Sequence, residues 1–287
     1  MVETVSSAVD RTGQVIGQRF RIDALIGKGA MADVFRALDA ETAAYVALKI
    51  LRTSLDGDPS AAQRFTREAE VQALLRHPNI AALLATGVTD HTEPYLALEL
   101  LRGKTLRGVI KQEGRIDPRR ASSYTWQALQ GLGAVHDAGV LHRDLKPANI
   151  MLEPSMGPAD RVVLIDFGFA SVEGSAKLTQ QGAIVGSLTY MAPERMRGEP
   201  IDQRSDLYSM GVIFYELLAG APPFVAKDDL DLVEKHLHEQ PPPLDPSVVP
   251  APLIPIIMRC LAKQQINRFP SAAAMAVALE DAARQMS

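Results

Sequence analysis

Strand patterns and one helix occupy this chain as far as Leu100, and helix patterns occupy most of the chain beyond Gly103. That segregation constrains the fold more than any other feature. β-compatible segments at Phe20–Ile26 and Ala32–Leu38 flank a glycine turn, and Ala44–Leu51 reads as a buried strand carrying one charge. A helix opens at Asp58-Pro59-Ser60, with Ser60 as its N-cap, and runs to about Arg76, where His77-Pro78 ends it. Two more strands are expected at Ala81–Thr89 and Pro94–Leu100. Beyond them the pattern predicts helices at Thr105–Lys111, Arg119–Ala138, Asp202–Ala219, Leu230–His238, Leu253–Lys263 and Ser271–Met286. Strands first and helices afterwards predict an α+β protein of two lobes. The expected boundaries are an extension at 1–14, a small β-rich lobe at 15–98, a connector at 99–102 and a mainly helical lobe at 103–287.

With 287 residues, 47% of them hydrophobic, the chain can bury one large core or two modest ones. A formal net charge of −4 gives no reason to expect nucleic acid or an anionic membrane as partner. The apolar run Val248 to Ala262 is broken by Pro250, Pro252, Pro255 and Arg259, so no membrane insertion is expected. Residues 1–14 lack the pattern of a signal peptide. A single cysteine, Cys260, fits a reducing compartment, and the expected location is cytoplasmic. The six histidines make no zinc-like cluster, and His236 and His238 read as solvated residues of a charged helix.

The chemistry concentrates in His142-Arg143-Asp144-Leu145-Lys146-Pro147-Ala148-Asn149, with a second acid at Asp166-Phe167-Gly168. A carboxylate can accept a hydroxyl proton, and a lysine can neutralise charge on a migrating phosphate. An amide oxygen and another carboxylate can hold Mg²⁺. Short strands at Ile150–Glu153 and Arg161–Ile165 would form a hairpin that returns Asp166 to Asn149. Upstream, Gly27-Lys28-Gly29-Ala30-Met31-Ala32-Asp33-Val34 lies between two strands, where glycines let backbone amides approach phosphates. Alone this is a weak signal, and Ala32 stands where a third glycine would complete the pattern.

Lys49, in the apolar strand Val46-Ala47-Leu48-Lys49, needs an acidic partner if it is buried. At roughly 100° per residue, Glu68 falls on the side of Phe65, Val71 and Leu75, whereas Glu70 falls near Arg67 and away from Phe65. Glu68 is therefore the expected partner. Glu194, in Ala192-Pro193-Glu194, needs a partner of its own, for which Arg268 is the candidate. Asp206 could cap its helix or brace the backbone of the 142–149 loop, and both roles stay open.

In this order the motifs resemble the eukaryotic-type (Hanks-type) protein kinase family over roughly residues 15–285. They are most similar to bacterial Ser/Thr protein kinases. The cues are the Gly-x-Gly-Ala-Met-Ala loop, Arg64-Phe65-Thr66-Arg67-Glu68-Ala69, and the run from His142 to Met151. The resemblance implies a bilobal kinase fold and transfer of the γ-phosphoryl of ATP, with Mg²⁺ or Mn²⁺, to serine and threonine hydroxyls of proteins. By the same resemblance, Gly27 to Val34 cover the ATP phosphates, with Ile26 also against the nucleotide. Ala47 and Met151 enclose the adenine, and Lys49 holds the α- and β-phosphates, oriented by Glu68. Leu98 is the gatekeeper, and the backbone at Glu99 and Leu101 meets the adenine edge. Asp144 receives or orients the hydroxyl proton, Lys146 meets the γ-phosphate, and Asn149 with Asp166 ligates the metal.

Lys146 and Ser187 match the Ser/Thr branch. Arg143 before Asp144 marks kinases whose activation segment is ordered by phosphate, for which Thr179 is the first candidate, ahead of Thr189, Ser175 and Ser187. The resemblance also allows pairing of two copies through the small lobe. A nucleotide-sensing pseudokinase is disfavoured because Lys49, Asp144, Asn149 and Asp166 are all present. A small-molecule phosphotransferase is disfavoured by the Ala-Pro-Glu segment.

Overall fold

The computed structural model describes residues 10–29, 32–52, 59–155, 159–166 and 188–286, excepting the side chains at 59–62, 64 and 68. The chain divides into two compact units, one ending at Leu101 and the other comprising His77–Ile80 and everything from Arg102 onward.

In the first unit the strands are β1 (Val15–Ile16), β2 (Phe20–Lys28), β3 (Ala32–Asp39), β4 (Tyr45–Leu51), β5 (Leu83–Val88) and β6 (Pro94–Glu99), with helix α1 (Pro59–Leu74) between β4 and β5. They form an antiparallel sheet in the order β1-β2-β3-β4-β6-β5. Because side chains alternate across a strand, β4 serves two cores at once. Val46, Leu48 and Ile50 pack with Phe20, Ile22, Phe35, Tyr95 and Ala97 on one face. Ala47 and Leu51 point to the other, where Phe65 of α1 meets Leu96 and Leu98. Residues ahead of β1 are tied in as well: Arg11 makes a two-pronged ion pair with the buried Glu93, at 2.7 and 2.6 Å.

The second unit begins with β7 (Lys104–Thr105), α2 (Leu106–Glu113) and α3 (Pro118–Asp137). The hairpin β8 (Ile150–Glu153) and β9 (Arg161–Leu164) comes after them, pairing Ile150 with Leu164, and β7 adds to its edge. Next come α4 (Pro193–Arg197), α5 (Gln203–Ala219), α6 (Asp229–His238), α7 (Ile254–Cys260) and α8 (Ala272–Gln285). Helix α5 is buried at every position from Ser205 to Leu218, as its lack of a polar face requires, so the other helices of the unit pack around it. Gly211 lets α7 cross close by, because a Cβ there would collide with the Cβ of Cys260.

The turn at His77–Ile80 ends the first long helix, as its proline predicts. Its backbone serves the second unit: Asn79 accepts from the Leu164 N–H (2.9 Å), and its side chain donates to the Val162 carbonyl (2.7 Å). Gly131 of α3 makes room for it, since a Cβ there would lie 2.7 Å from the Asn79 oxygen.

Several expected bounds shift by a few residues. The helix expected at Leu253–Lys263 contracts to α7, preceded by a 3₁₀ turn at Ala251–Leu253 and stopped at Leu261. His236 departs further from expectation. It is buried, its Nδ1 lies 2.8 Å from the Tyr208 hydroxyl, and its ring meets Phe224 edge-on at 4.9 Å. Of the pair, only His238 is exposed. The side of α6 that packs beneath Phe224 is fixed by long-range contacts, which a charged local pattern does not reveal.

Candidate active site

The loop 142–149 comes after α3 and is held from below by α5. Asp206, in the first turn of α5, is fully buried. Its Oδ2 accepts from the His142 N–H and from His136 Nε2, and its Oδ1 accepts from the Arg143 N–H, each at 2.9 Å. Burial alone would push the carboxyl pKa up, but the His136 hydrogen bond, the nearby imidazoles and the His142 amide outweigh it and hold the pKa below its ordinary value. Capping of α5 falls to Asp202, which accepts from the Arg204 N–H at 2.8 Å. The two roles left open for Asp206 are thereby separated: it braces the loop.

Arg143 sits at φ 64°, a left-handed conformation uncommon for a residue with a side chain. Such a residue costs on the order of 1–3 kcal/mol and persists only where its surroundings hold it. Here they do. Asp206 holds the Arg143 N–H, the Arg195 guanidinium of α4 donates to the Arg143 carbonyl, and the Asp144 N–H closes the turn on the His142 carbonyl at 2.9 Å.

Beyond that turn the side chains converge. Lys146 Nζ lies 2.7 Å from Asp144 Oδ2, and Asn149 Nδ2 lies 3.0 Å from the same oxygen. Asn149 Nδ2 also donates to the Asp144 carbonyl (2.8 Å) and approaches the Asp166 carbonyl (3.4 Å). The hairpin supplies this last proximity, because the Ile165 N–H bonds to the Asn149 carbonyl at 2.9 Å. Asp166 itself stands at φ 52°, so the chain turns sharply where β9 ends. The Asn149 NH₂ is turned toward the Asp144 carbonyl and carboxylate and the Asp166 carbonyl, and the residues that could hold a cation here are Asn149, through its side-chain oxygen, and Asp166, through its carboxylate. Such hard oxygen donors suit Mg²⁺ or Mn²⁺. Met151 is half-buried on β8, opposite Val163.

In the first unit the site residues share a sheet face by register. Gly27 pairs with Val34, Val34 with Lys49 and Lys49 with Leu96, while Ala47 pairs with Leu98 one step along. Val34, Ala47, Lys49 and Leu98 therefore stand on the same side of the sheet, that of Phe65. Ile26 is 49% exposed on β2. Lys28, Gly29 and Asp33 flank the glycine turn, which the Gly29 N–H closes on the Ala32 carbonyl at 2.9 Å. Glu99 anchors its own strand end: its N–H donates to the Ala82 carbonyl and its carboxylate accepts from the Ala82 N–H, both at 2.9 Å. Leu101 is half-buried where the unit ends.

Phe65, Val71 and Leu75 are buried and Glu70 is exposed, as the helical phase requires. The Glu68 side chain, Ala30, Met31, Phe167, Gly168, Ser175, Thr179, Gly186 and Ser187 lie outside the described residues.

Glu194 and Arg268 meet as expected. The guanidinium makes two bonds to the carboxylate, at 2.7 and 2.9 Å, and Ser205 Oγ donates a third at 2.5 Å. Burial would raise the Glu194 pKa, yet these bonds hold it below the ordinary carboxylate value. Arg268 also caps the carbonyls of Ala262, Arg204 and Lys263, which accounts for a fully buried arginine.

Three supports escaped the sequence. One is the Arg195 bond to the loop; another is the Asn79 anchor. The third is a cluster in which the Tyr190 hydroxyl donates to Glu216 (2.6 Å) while Arg107 bonds to both. No local pattern marks any of them, because each joins distant elements.

A braced acid, a lysine and an amide on one loop define a phosphoryl-transfer class. Residues 20–278 match the protein kinase domain family, and the chain belongs to that family, on its bacterial serine/threonine branch. A probable serine/threonine-protein kinase PknB of Corynebacterium glutamicum is 37% identical over 92% of this chain and 42% of that protein. A serine/threonine-protein kinase of Myxococcus xanthus is 38% identical over 93% of this chain and 50% of that protein. The chain thus spans half or less of the length of these relatives. A crystal structure of the Mycobacterium tuberculosis PknI kinase domain superimposes with a TM-score of 0.71 at 26% identity, covering 94% of this chain and 98% of that one. Members of this family use ATP and a divalent metal, and no helix among the described residues is long and apolar enough to cross a membrane.

Proposed function

We propose that this chain transfers the γ-phosphoryl group of ATP to serine and threonine hydroxyls of protein substrates. The observation that carries the reading is the convergence of Lys146 and Asn149 on the Asp144 carboxylate, on a loop whose backbone Asp206 and Arg195 hold. The acceptor oxygen attacks the γ-phosphorus as the bond to the β–γ bridging oxygen breaks, and Asp144 receives the hydroxyl proton. Lys146 offsets charge on the migrating group. The side-chain oxygens of Asn149 and Asp166 would hold Mg²⁺ or Mn²⁺, which neutralises phosphate charge when bound. In the first unit, Val34, Ala47 and Leu98 offer an apolar face for the adenine. Lys49, with Glu68 as its proposed orienting partner, supplies the charge for the phosphates.

Incubation with labelled ATP and Mg²⁺ tests this. Asp144→Asn should lower incorporation about 10²–10⁴-fold, the usual contribution of a positioned base, with the melting temperature retained. Equal incorporation in both proteins would overturn the assignment.

Phosphorylation of the chain's own activation segment, with Thr179 first, is part of the same proposal. Support comes from Arg143, a guanidinium placed directly before the base. Mass spectrometry after incubation with ATP should find phosphate at Thr179, and full activity without it would remove this part.

A further inference from the structure

The glycine turn is anchored from the face opposite the one proposed for the nucleotide. Strand β3 leaves the turn at Ala32, and its register sets Val34 opposite Lys49 and Asp33 opposite Ile50. Successive side chains of a strand point to opposite faces. Val34 and Lys49 therefore share the nucleotide face, whereas Asp33 stands on the other with Phe35, Leu48 and Ile50. Arg52, just past the end of β4, reaches Asp33 there. Its Nε and Nη2 both donate to Asp33 Oδ1, at 3.0 and 2.6 Å, and the two side chains are 31% and 14% exposed. Lys28 pairs with Asp33 in the β2–β3 register, and the carboxylate is nonetheless bonded to Arg52.

The position of this pair in the sheet gives it weight. The β3–β4 ladder ends at the Ala32–Leu51 rung, one residue past Asp33, and the β2–β3 ladder ends at Lys28–Asp33. Strand ends open more readily than strand centres. A second ion pair of the same sheet supplies the contrast. Arg36 Nε donates to Asp23 at 2.6 Å, but Arg36 lies mid-strand, paired with Ala24 on one side and Ala47 on the other. Backbone bonds already fix it. At the Asp33 end a planar guanidinium supplies what the ladder lacks, gripping one oxygen with two N–H groups. The rung beside it is built into the core, since Ala32 and Leu51 pack with Phe65 of α1.

We propose that Arg52 is a positioning residue for the transfer reaction. Through Asp33 it ties the strand leaving the glycine turn to the end of the strand that carries Lys49. It thereby fixes the spacing between the turn and that lysine, the two groups assigned to the nucleotide's phosphates. Neither Arg52 nor Asp33 belongs to the adenine face of Val34, Ala47 and Leu98. The pair therefore acts on phosphate-bearing ligands and leaves adenosine alone. The inference rests on the kinase reading, and its test separates the two.

The probes are ADP with Mg²⁺ and adenosine, titrated calorimetrically into the purified chain, together with steady-state transfer of labelled phosphate from ATP. Arg52→Met keeps the aliphatic stem. It should weaken ADP binding about five-fold, the scale of a partly exposed ion pair, with adenosine affinity unchanged. The KM for ATP should rise by the same factor while kcat holds. Asp33→Asn should give the same loss, and the double variant no more than either alone, as coupling through one ion pair requires. Arg36→Met is the control and should leave every value unchanged. Thermal melts verify that each variant is folded.

If the wild type binds neither probe and transfers no phosphate, the kinase reading fails and takes this proposal with it. If it binds and transfers but Arg52→Met matches it, the positioning role alone is overturned. If Arg52→Met weakens adenosine as much as ADP, the pair holds the sheet as a whole, and the proposal also fails. Losses that add in the double variant would break the link through Asp33 and overturn it too.

Discussion

In the first unit, Val34, Ala47, Lys49 and Leu98 share a face because strand register places them there, and their neighbours on the sheet are mostly aliphatic. In the second, Asp144 is aimed by a left-handed turn that Asp206 and Arg195 hold through hydrogen bonds from other elements. A sheet face tolerates substitution at one position, since the remaining backbone bonds keep the register. A loop braced by buried charges fails when one brace is removed, because the partner is left buried without compensation. The two units should therefore answer mutation differently.

The largest effect is expected where a buried charge is stranded. Arg268→Met should destabilise the fold by about 3–5 kcal/mol, measured by urea titration, because Glu194 keeps its burial and loses both guanidinium bonds. Asp206→Ala comes next. It orphans the His142 and Arg143 N–H groups, at about 1–3 kcal/mol each when buried, and it should also depress phosphoryl transfer by releasing the turn that aims Asp144.

Acid should act through His236, a group the second unit buries. Its unfolded pKa lies near 6.5 and its folded value at about 3, so below pH 6.5 the unfolded chain binds a proton that the folded one excludes. Stability should fall by about 1.4 kcal/mol per pH unit between those limits, reaching about 2 kcal/mol at pH 5. A His236→Phe variant should lose that slope in urea titrations compared across pH. Glu194, whose pKa is depressed, adds a separate loss that begins only as pH falls below its unfolded value near 4.5.

The smallest effect on stability belongs to the first unit. Lys49→Met keeps the aliphatic stem on the sheet face and should change the melting free energy by less than about 1 kcal/mol, while labelled phosphate incorporation collapses. A large loss of stability from Lys49→Met would erase the contrast between the units.

Short spacing encodes most of what is legible in the sequence. The lysine in an apolar strand, the acid, lysine and amide in one octapeptide, and the glycine turn between strands all carry their meaning within a few residues. The Glu194–Arg268 pair is legible for another reason: a carboxylate and a guanidinium that are both expected to be buried have few alternatives to each other. His236 defeats the local reading because a charged helix pattern reports its outer face and says nothing of which side another element covers. The Arg195 and Asn79 contacts are invisible, since a polar residue in a loop is consistent with solvent until the fold brings a carbonyl to it.

The sequence by itself determined the order of strands and helices, the residues proposed here to move a phosphoryl group, and the strand alternation that puts Ala47 and Lys49 on one side of β4. Only the tertiary structure decided that Asp206 braces the loop rather than capping its helix, and that Arg143 is held left-handed from both sides. It also decided that His236 is interior. The reason is separation along the chain. The bonds that settle these points span 28 to 64 residues, a range over which local periodicity and propensity carry no information and only the packed core brings the partners together.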